Sequence, residues 1–470
     1  MPVDALSVCR DAIALARLQR DGRAWAILAW RENLPADPVA TFAAATGRRT
    51  LLWRDDGWLL GMGEAFTVTA DGPGRASHLA TAVARLEARC AIGVSGESPK
   101  APSDAPALPA LLTAWAFEDQ APAQGGAWGH LPGARLWLPR QMRWMRDGAG
   151  WAIAALAVGA GDDPYVAAEA LLKPAEPMTT IAPSPWPTLH DGYQDQVEDA
   201  VALIREGALR KLVLARAVDQ DLAGTTASTV LARLRRHAAG AVVYAHDLDD
   251  GALFIGATPE LLFAASGNQV STMALAGSAA RPSGTSHGDE IADEAAVAAL
   301  MASTKERKEH GIVVEHLTQV LRPRAKPFAV PGGPHARLLS RLIHLETNLA
   351  AELRQADYFE LLGALHPTPA VCGLPTPMAR SYLARHEHLQ RGLYSGALGW
   401  STPADCRFVV PLRGAIMRAA SGGGSARLFA GAGIVETSVP VQEWRETEMK
   451  LDVFRAALGP AAAGEAKAGP

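Results

Sequence analysis

Cysteine is scarce: Cys9, Cys90, Cys372 and Cys406 are the only four in 470 residues, and none is spaced as CxxC. That excludes a disulfide framework and a cysteine-ligated zinc site, and it suits a reducing compartment. Long apolar runs are missing too. The longest clean one, around Trp151–Ala160, covers about ten residues and is too short to span a bilayer. The opening MPVDALSVCRDAIALARLQRDGR interleaves acids with arginines and lacks the apolar core of a signal peptide. Nor is one sign of charge in excess. A formal net charge of −4 gives no general pull toward nucleic acid or an anionic membrane, so an anionic ligand would need local cations. No fixed-period repeat is found. These absences lead to the expectation of a soluble cytoplasmic protein with neither nucleic acid nor membrane as partner.

What is present is an ordinary globular composition, 49% hydrophobic and 20% charged, long enough for one large or two medium domains. Ala24–Trp30, Thr50–Trp53 and Trp58–Met62 read as strands, the last two as a hairpin closed by Asp55-Asp56-Gly57. Ser77–Ala91 reads as an amphipathic helix and Ser95–Ala107 as a loop. Leu111–Phe117, Ala134–Leu138 and Trp151–Val158 are further strands, with a hairpin at Asp147-Gly148. Residues 174–188 are proline-rich and make the best linker. Beyond it, helices are expected at Tyr193–Glu206, Thr226–His237 and, as one long element, Glu290–Leu321. Strands are expected at Lys211–Val218, Ala241–His246, Gly251–Ile255, Gln269–Leu275, Ser395–Gly399, Phe408–Arg413 and Arg427–Ala432, with a further element over Leu338–Leu353. Many strands, hairpin-like gaps and a few long helices argue for α+β with large, mostly antiparallel sheets.

The densest chemistry lies near the end. Val439–Leu458 has helical periodicity, with Val441, Trp444, Met449, Leu451, Val453 and Phe454 able to pack inward. Glu443, Glu446 and Lys450 share one face of it. Taken alone, that face also fits a solvated surface with an i,i+4 pair worth a few tenths of a kcal/mol. Upstream, FAGAGIV (Phe429–Val435) is a small-residue run whose backbone a ligand can approach closely. KERKEHG places a second ExxE pair, Glu306 and Glu309, on another helix. Carboxylates with water and substrate are the oxygen ligands Mg²⁺ prefers. Zinc through His310 and His316 fails, because a six-residue helical gap turns them to different faces. Lys211 opens a leucine-rich strand, where desolvation favours a base; an edge-strand lysine guarding against aggregation is the other reading. Glu260, in the turn GATPE, is a candidate proton donor if buried; otherwise it reads as a helix-start glutamate.

GATPELLF, MALAGS, KERKEHG, IHLETNL, HPTPAVCGLP, GLYSGALGW, PLRGAI, FAGAGIV and EWRETEMKL follow one another in this order. Over roughly residues 190–456 the chain thereby resembles the chorismate-utilising enzymes, which include isochorismate synthase, anthranilate synthase component I, aminodeoxychorismate synthase component I and salicylate synthase. The N-terminal part carries no matching motif. The resemblance implies one compact α+β (α/β) body of two large sheets flanked by helices. Residues 1–185 are its divergent half, 186–458 the chorismate-binding catalytic region, and 459–470 a disordered tail. It implies Mg²⁺ as cofactor, held by Glu309 and Glu446, with Glu306 and Glu443 ordering its waters. The cation and Lys450, helped by the N–H groups near Gly431 and Gly433, would hold the ring carboxylate. Arg413 and Tyr394 would take the enolpyruvyl carboxylate, a planar fork suiting that group. Ala276, Gly277 and Ser278 would line the C4 side, with His344 near the ring.

Within the family, Lys211 stands where isochorismate synthases have the base that activates water. Ala276 replaces the nucleophilic lysine of aminodeoxychorismate synthases. Ala370 follows the isochorismate synthase pattern, where ammonia users and salicylate synthases have threonine. The implied activity is a reversible conversion of chorismate to isochorismate, with Lys211 as base and Glu260 as acid, in a monomer without an organic cofactor. Menaquinone or siderophore biosynthesis would use the product. A salicylate synthase and a non-catalytic chorismate-binding member are the alternatives. One departure, AARPSG after LAGS, implies a different loop before the Glu290 helix.

Overall fold

Apolar runs bounded by glycine-bearing turns become strands throughout, in the computed structural model that describes residues 4–95, 104–120, 126–181, 185–282, 290–420 and 423–459. Among these residues the strands form two sheets, of twelve and nine strands. In the larger, Lys211–Asp221 pairs with Gly423–Ile434, then come Gly414–Ala420, Leu253–Thr258 and Val242–Asp247. Val242–Asp247 pairs in turn with Arg49–Arg54, and N-terminal strands continue the sheet to Arg23–Arg31 and Cys90–Ser95. The smaller sheet runs from His335–Leu338 through Leu342–Glu352, Gln269–Ala280, Leu261–Ser266, Asp405–Val409 and Ala397–Ser401 to Leu111–Trp115, Ala134–Leu138 and Phe66–Ala70. Pairing is antiparallel except between Arg23–Arg31 and Cys90–Ser95. Both sheets cross residue 185 unbroken, one through Tyr244 opposite Leu52, the other through Ala397 opposite Trp115. The expected single α+β body of two large, mostly antiparallel sheets is what forms.

The main core gathers side chains from both sheets, among them Trp115, Trp137, Phe254, Phe263, Phe408 and Phe429. Burying each such side chain contributes roughly 1.5–3 kcal/mol. No helix of the described residues is long and apolar enough to cross a membrane.

Five expectations need correction. The single helix over Glu290–Leu321 is two, Glu290–Ala302 and Thr304–Leu321, because Ser303 leaves helical geometry and its hydroxyl caps the N–H of Glu306 at 3.3 Å. The helix over 77–91 is Arg75–Glu87; Cys90–Ser95 instead extends the large sheet beside Arg23–Arg31. The strand expected at Phe408–Arg413 is Asp405–Val409, and Arg413 takes a left-handed φ of 47° before Gly414–Ala420 starts. Leu338–Leu353 is the end of one strand and the whole of its antiparallel neighbour, His335–Leu338 and Leu342–Glu352. In the last helix, Pro440–Leu458, Leu451 and Phe454 pack inward, but Val441 and Trp444 stay 41% and 37% exposed while Glu443 is 0% exposed. Its first turns bury carboxylate, not hydrocarbon. Residues 460–470 of the expected tail, most of the Ser95–Ala107 loop and the loop ahead of Glu290 lie outside the described residues.

Candidate active site

The polypeptide changes sheets within two residues. Leu253–Thr258 belongs to the large sheet and Leu261–Ser266 to the small one, so Pro259-Glu260 is the passage between them. Glu260 is 5% exposed. Its backbone is fixed by Thr258 Oγ1, which accepts its N–H at 3.2 Å, and by Val410 N–H, which donates to its carbonyl at 3.1 Å. No helix begins there, so the helix-start reading falls. Burial pushes the carboxyl up to about 7, against the opposing pull of Lys211, Arg413 and Lys450.

Lys211 is 0% exposed, which removes the edge-protection reading. Its strand is flanked by Gly373–Leu374 and Gly423–Ile434, and its Nζ lies 2.9 Å from Glu309 Oε1. The glycine at 433 is what lets them meet: a Cβ there would collide with Glu309 Oε1 and come within 3.1 Å of Lys211 Cε.

Three lysines partner the carboxylates of the two ExxE pairs. Besides Lys211 with Glu309, Lys450 lies 2.6 Å from Glu446, and Lys305 lies 2.7 Å from Glu443 and 3.7 Å from Glu306. Glu306 also accepts the N–H of Ser278 at 2.9 Å. The carboxylates still repel one another. Burial, then the charges of Glu309 and Glu446, push Glu306 up to about 7, and burial with the charge of Glu446 raises Glu443. Lys450, with Lys305 and Arg413, holds Glu446 below the usual range in spite of its burial. Among the described residues the buried Glu443 Oε2 makes no short hydrogen bond, although the nearby Ser438 hydroxyl favours the charged form of the carboxyl. Crowded, partly unsatisfied hard oxygens fit Mg²⁺ as a donor set. No three His, Cys, Asp or Glu of the described residues form a ready-made cation cage, and three of the four carboxylates are each within 2.9 Å of a lysine.

Opposite stands a cationic and hydroxyl wall. Arg413 is 7% exposed and donates to His344 Nε2 at 3.1 Å. Since Nε2 accepts, the proton of His344 sits on Nδ1, near Gly277 O at 3.2 Å and Ser278 Oγ at 3.1 Å. Burial, then Arg413 and Lys450, hold His344 well below the usual imidazole range, so it is neutral. Gly277, at φ 80°, makes the bend that turns Ser278 toward Glu306. The buried Tyr394 stacks on Phe429 and is pushed up to about 12 by burial, so its hydroxyl keeps its proton. The carbonyl of Ala276 is taken by His310 Nδ1 at 3.3 Å, and the N–H of Ala370 by Thr368 Oγ1 at 3.3 Å. The Gly431 carbonyl is occupied by Lys450 Nζ at 2.8 Å.

Glu260 thus feels Lys211, Arg413 and Lys450, while Arg413 feels Tyr394, Glu446 and Glu260. Residues dispersed over two hundred positions surround one site. Lys305 escapes sequence reasoning although it lies inside KERKEHG, because the ExxE spacing there points to the glutamates alone.

A family model described as a chorismate binding enzyme matches residues 13–459. The salicylate biosynthesis isochorismate synthase of Pseudomonas aeruginosa is 38% identical over 268 residues, 57% of this chain and 54% of that protein. The match therefore spans about half of that relative's length. Isochorismate synthase EntC of Escherichia coli K12 is 35% identical over 270 residues, 57% of this chain and 67% of that one. The solved structure of MenF, the menaquinone-specific isochorismate synthase of Escherichia coli, superposes with a TM-score of 0.72 at 25% identity, covering 96% of this chain and 99% of the other. With a family model spanning nearly its whole length and a fold that agrees end to end, the chain belongs to the chorismate-binding enzymes.

Proposed function

We propose that the protein is an isochorismate synthase, which adds water at C2 of chorismate and removes the C4 hydroxyl. The observation that carries this reading is Glu260, a buried carboxyl raised to about 7, in the same site as a lysine that is 0% exposed. Lys211 takes a proton from the water that attacks C2. The ring double bonds shift, and protonated Glu260 delivers its proton to the departing C4 hydroxyl, which leaves as water. Run backwards, Glu260 is the base and Lys211 the acid, so the conversion is reversible. Arg413, oriented by His344, and the Tyr394 hydroxyl bind the enolpyruvyl carboxylate; Gly277 and Ser278 border the C4 side. Glu309 and Glu446 would hold Mg²⁺, with Glu306 and Glu443 ordering its waters, and the bound ion would supply charge to neutralise and orient the ring carboxylate. Lys450 adds to that charge.

The methyl group of Ala370 leaves room for water and offers no side-chain hydrogen bond, which favours release of isochorismate over elimination of pyruvate to salicylate. We place the product in menaquinone or siderophore biosynthesis; of the relatives above, one is named for menaquinone and one for salicylate. The proposed setting is the cytoplasm, supported by four free cysteines. Purified protein incubated with chorismate and Mg²⁺, with products resolved by chromatography, is expected to give isochorismate in equilibrium with chorismate, and no anthranilate when ammonium is added. Salicylate as the major product would replace this reading with salicylate synthase.

A further inference from the structure

The Lys211–Asp221 strand is supported unequally. On one side it pairs with Gly423–Ile434 along almost its whole length; on the other it pairs with the short Gly373–Leu374, opposite Lys211 and Leu212, and the Val213 N–H donates to the Cys372 carbonyl at 2.8 Å. Past that point a side-chain pair takes the place of a strand. Arg391 donates to the Val213 carbonyl at 2.7 Å, and Glu387 accepts the N–H of Ala215 at 2.9 Å. Both side chains are 1% exposed, and they are bound to each other, Arg391 Nε donating to Glu387 Oε1 at 2.6 Å. The third guanidinium nitrogen donates to the Val371 carbonyl at 2.6 Å, next to Ala370. The Arg391 carbonyl accepts the N–H of Tyr394 at 2.9 Å.

We propose that Glu387 and Arg391 are a positioning pair that locks the strand bearing Lys211 to the Ala370 loop and the Tyr394 turn. Neither side chain is one of the groups assigned above to substrate or metal. A buried ion pair stabilises little compared with apolar residues of the same volume, so its worth lies in placement. Its seat comes from the N-terminal half of the chain: both oxygens of Glu118 accept backbone N–H groups, from Arg391 at 2.8 Å and from Gly392 at 2.9 Å, and the guanidinium lies 4.4 Å from the centre of the Phe117 ring. The half without recognisable chemistry thereby reaches the base through one turn.

This rests on Lys211 being the base, so the test includes a measurement that needs no reaction. Glu387→Gln takes away the charge that holds Arg391, and Glu118→Gln loosens the seat while leaving the pair itself in place. For both, hydrogen exchange over residues 211–217 is expected to quicken. The kcat for isochorismate formation should fall about 10–100-fold, the effect of a small misplacement at a distance, with KM within about threefold and the pH profile unshifted. If Glu387→Gln does not fold, Glu118→Gln decides between the outcomes. Quicker exchange with unchanged kcat, or a loss carried by KM alone, makes the pair merely structural and overturns the proposal. Unchanged exchange in both variants overturns it as well. A wild-type protein that forms no isochorismate overturns the proposed function instead, and the exchange rates still test the brace.

Discussion

In the proposed reaction two side chains divide the proton work, and their surroundings make different demands on each. Lys211→Ala is expected to cost about two to four orders of magnitude in turnover, the usual weight of a positioned acid–base group. Chorismate affinity should change little, and activity within tenfold of wild type would mean water is activated elsewhere. Glu260 must carry a proton to act as acid, and burial keeps that proton up to a pH of about 7. The dianionic substrate beside it would raise that value and the accompanying divalent cation would oppose the rise. The forward kcat should therefore decline through a pH of about 7. The raised carboxyl also has a stability cost with a definite sign: its contribution is favourable at low pH and is lost as pH rises through about 7. Glu260→Gln, which stays neutral, should melt above the parent protein at pH 8–9 and yet be nearly inactive. A lower melting temperature there would contradict the burial account. Residue identities are legible from the motifs; Glu260's position is not, since a passage between two sheets is a tertiary fact that GATPE does not spell out.

Elements bring these side chains together, and the sequence spells them out unevenly. Alternating or apolar runs such as Ala24–Trp30 and Lys211–Val218 announce their strands because period and length agree. The break at Ser303 is also written, as Ser303 followed three residues later by Glu306, but helix-forming residues on both sides mask it. Its consequence is functional, because the cap places Glu306 in the first turn of a new helix. Ser303→Ala should cost about 1 kcal/mol in denaturant unfolding and raise the Mg²⁺ concentration needed for half-maximal activity. An unchanged Mg²⁺ requirement would show that Ser278 and Lys305 hold Glu306 without the cap. The exposed Val441 and Trp444 fail as core residues for a related reason. Helical periodicity marks an apolar face, but a helix that delivers Glu443 and Glu446 to a buried site must turn that face outward in its first turns.

For the molecule as a whole, charge is the puzzle: a protein of net charge −4 must draw a dianion into a site that already contains four carboxylates. Composition could not show how, because the lysines that answer those carboxylates, Lys211, Lys305 and Lys450, are separated in sequence and converge only through the two sheets and the helices on them. These cations offset most of the carboxylate charge. A divalent cation and a dianion taken up together, as proposed, would then alter the site's charge less than either alone. The proposed ion and substrate would then be thermodynamic allies, each tightening the other's hold by the same factor. In Lys211→Ala, which should bind without turning over, a calorimetric Mg²⁺ titration is expected to show several-fold tighter binding with chorismate present. If the proposed function holds, reciprocity would make free magnesium a dial on how much chorismate this protein commits, with no separate regulatory site required.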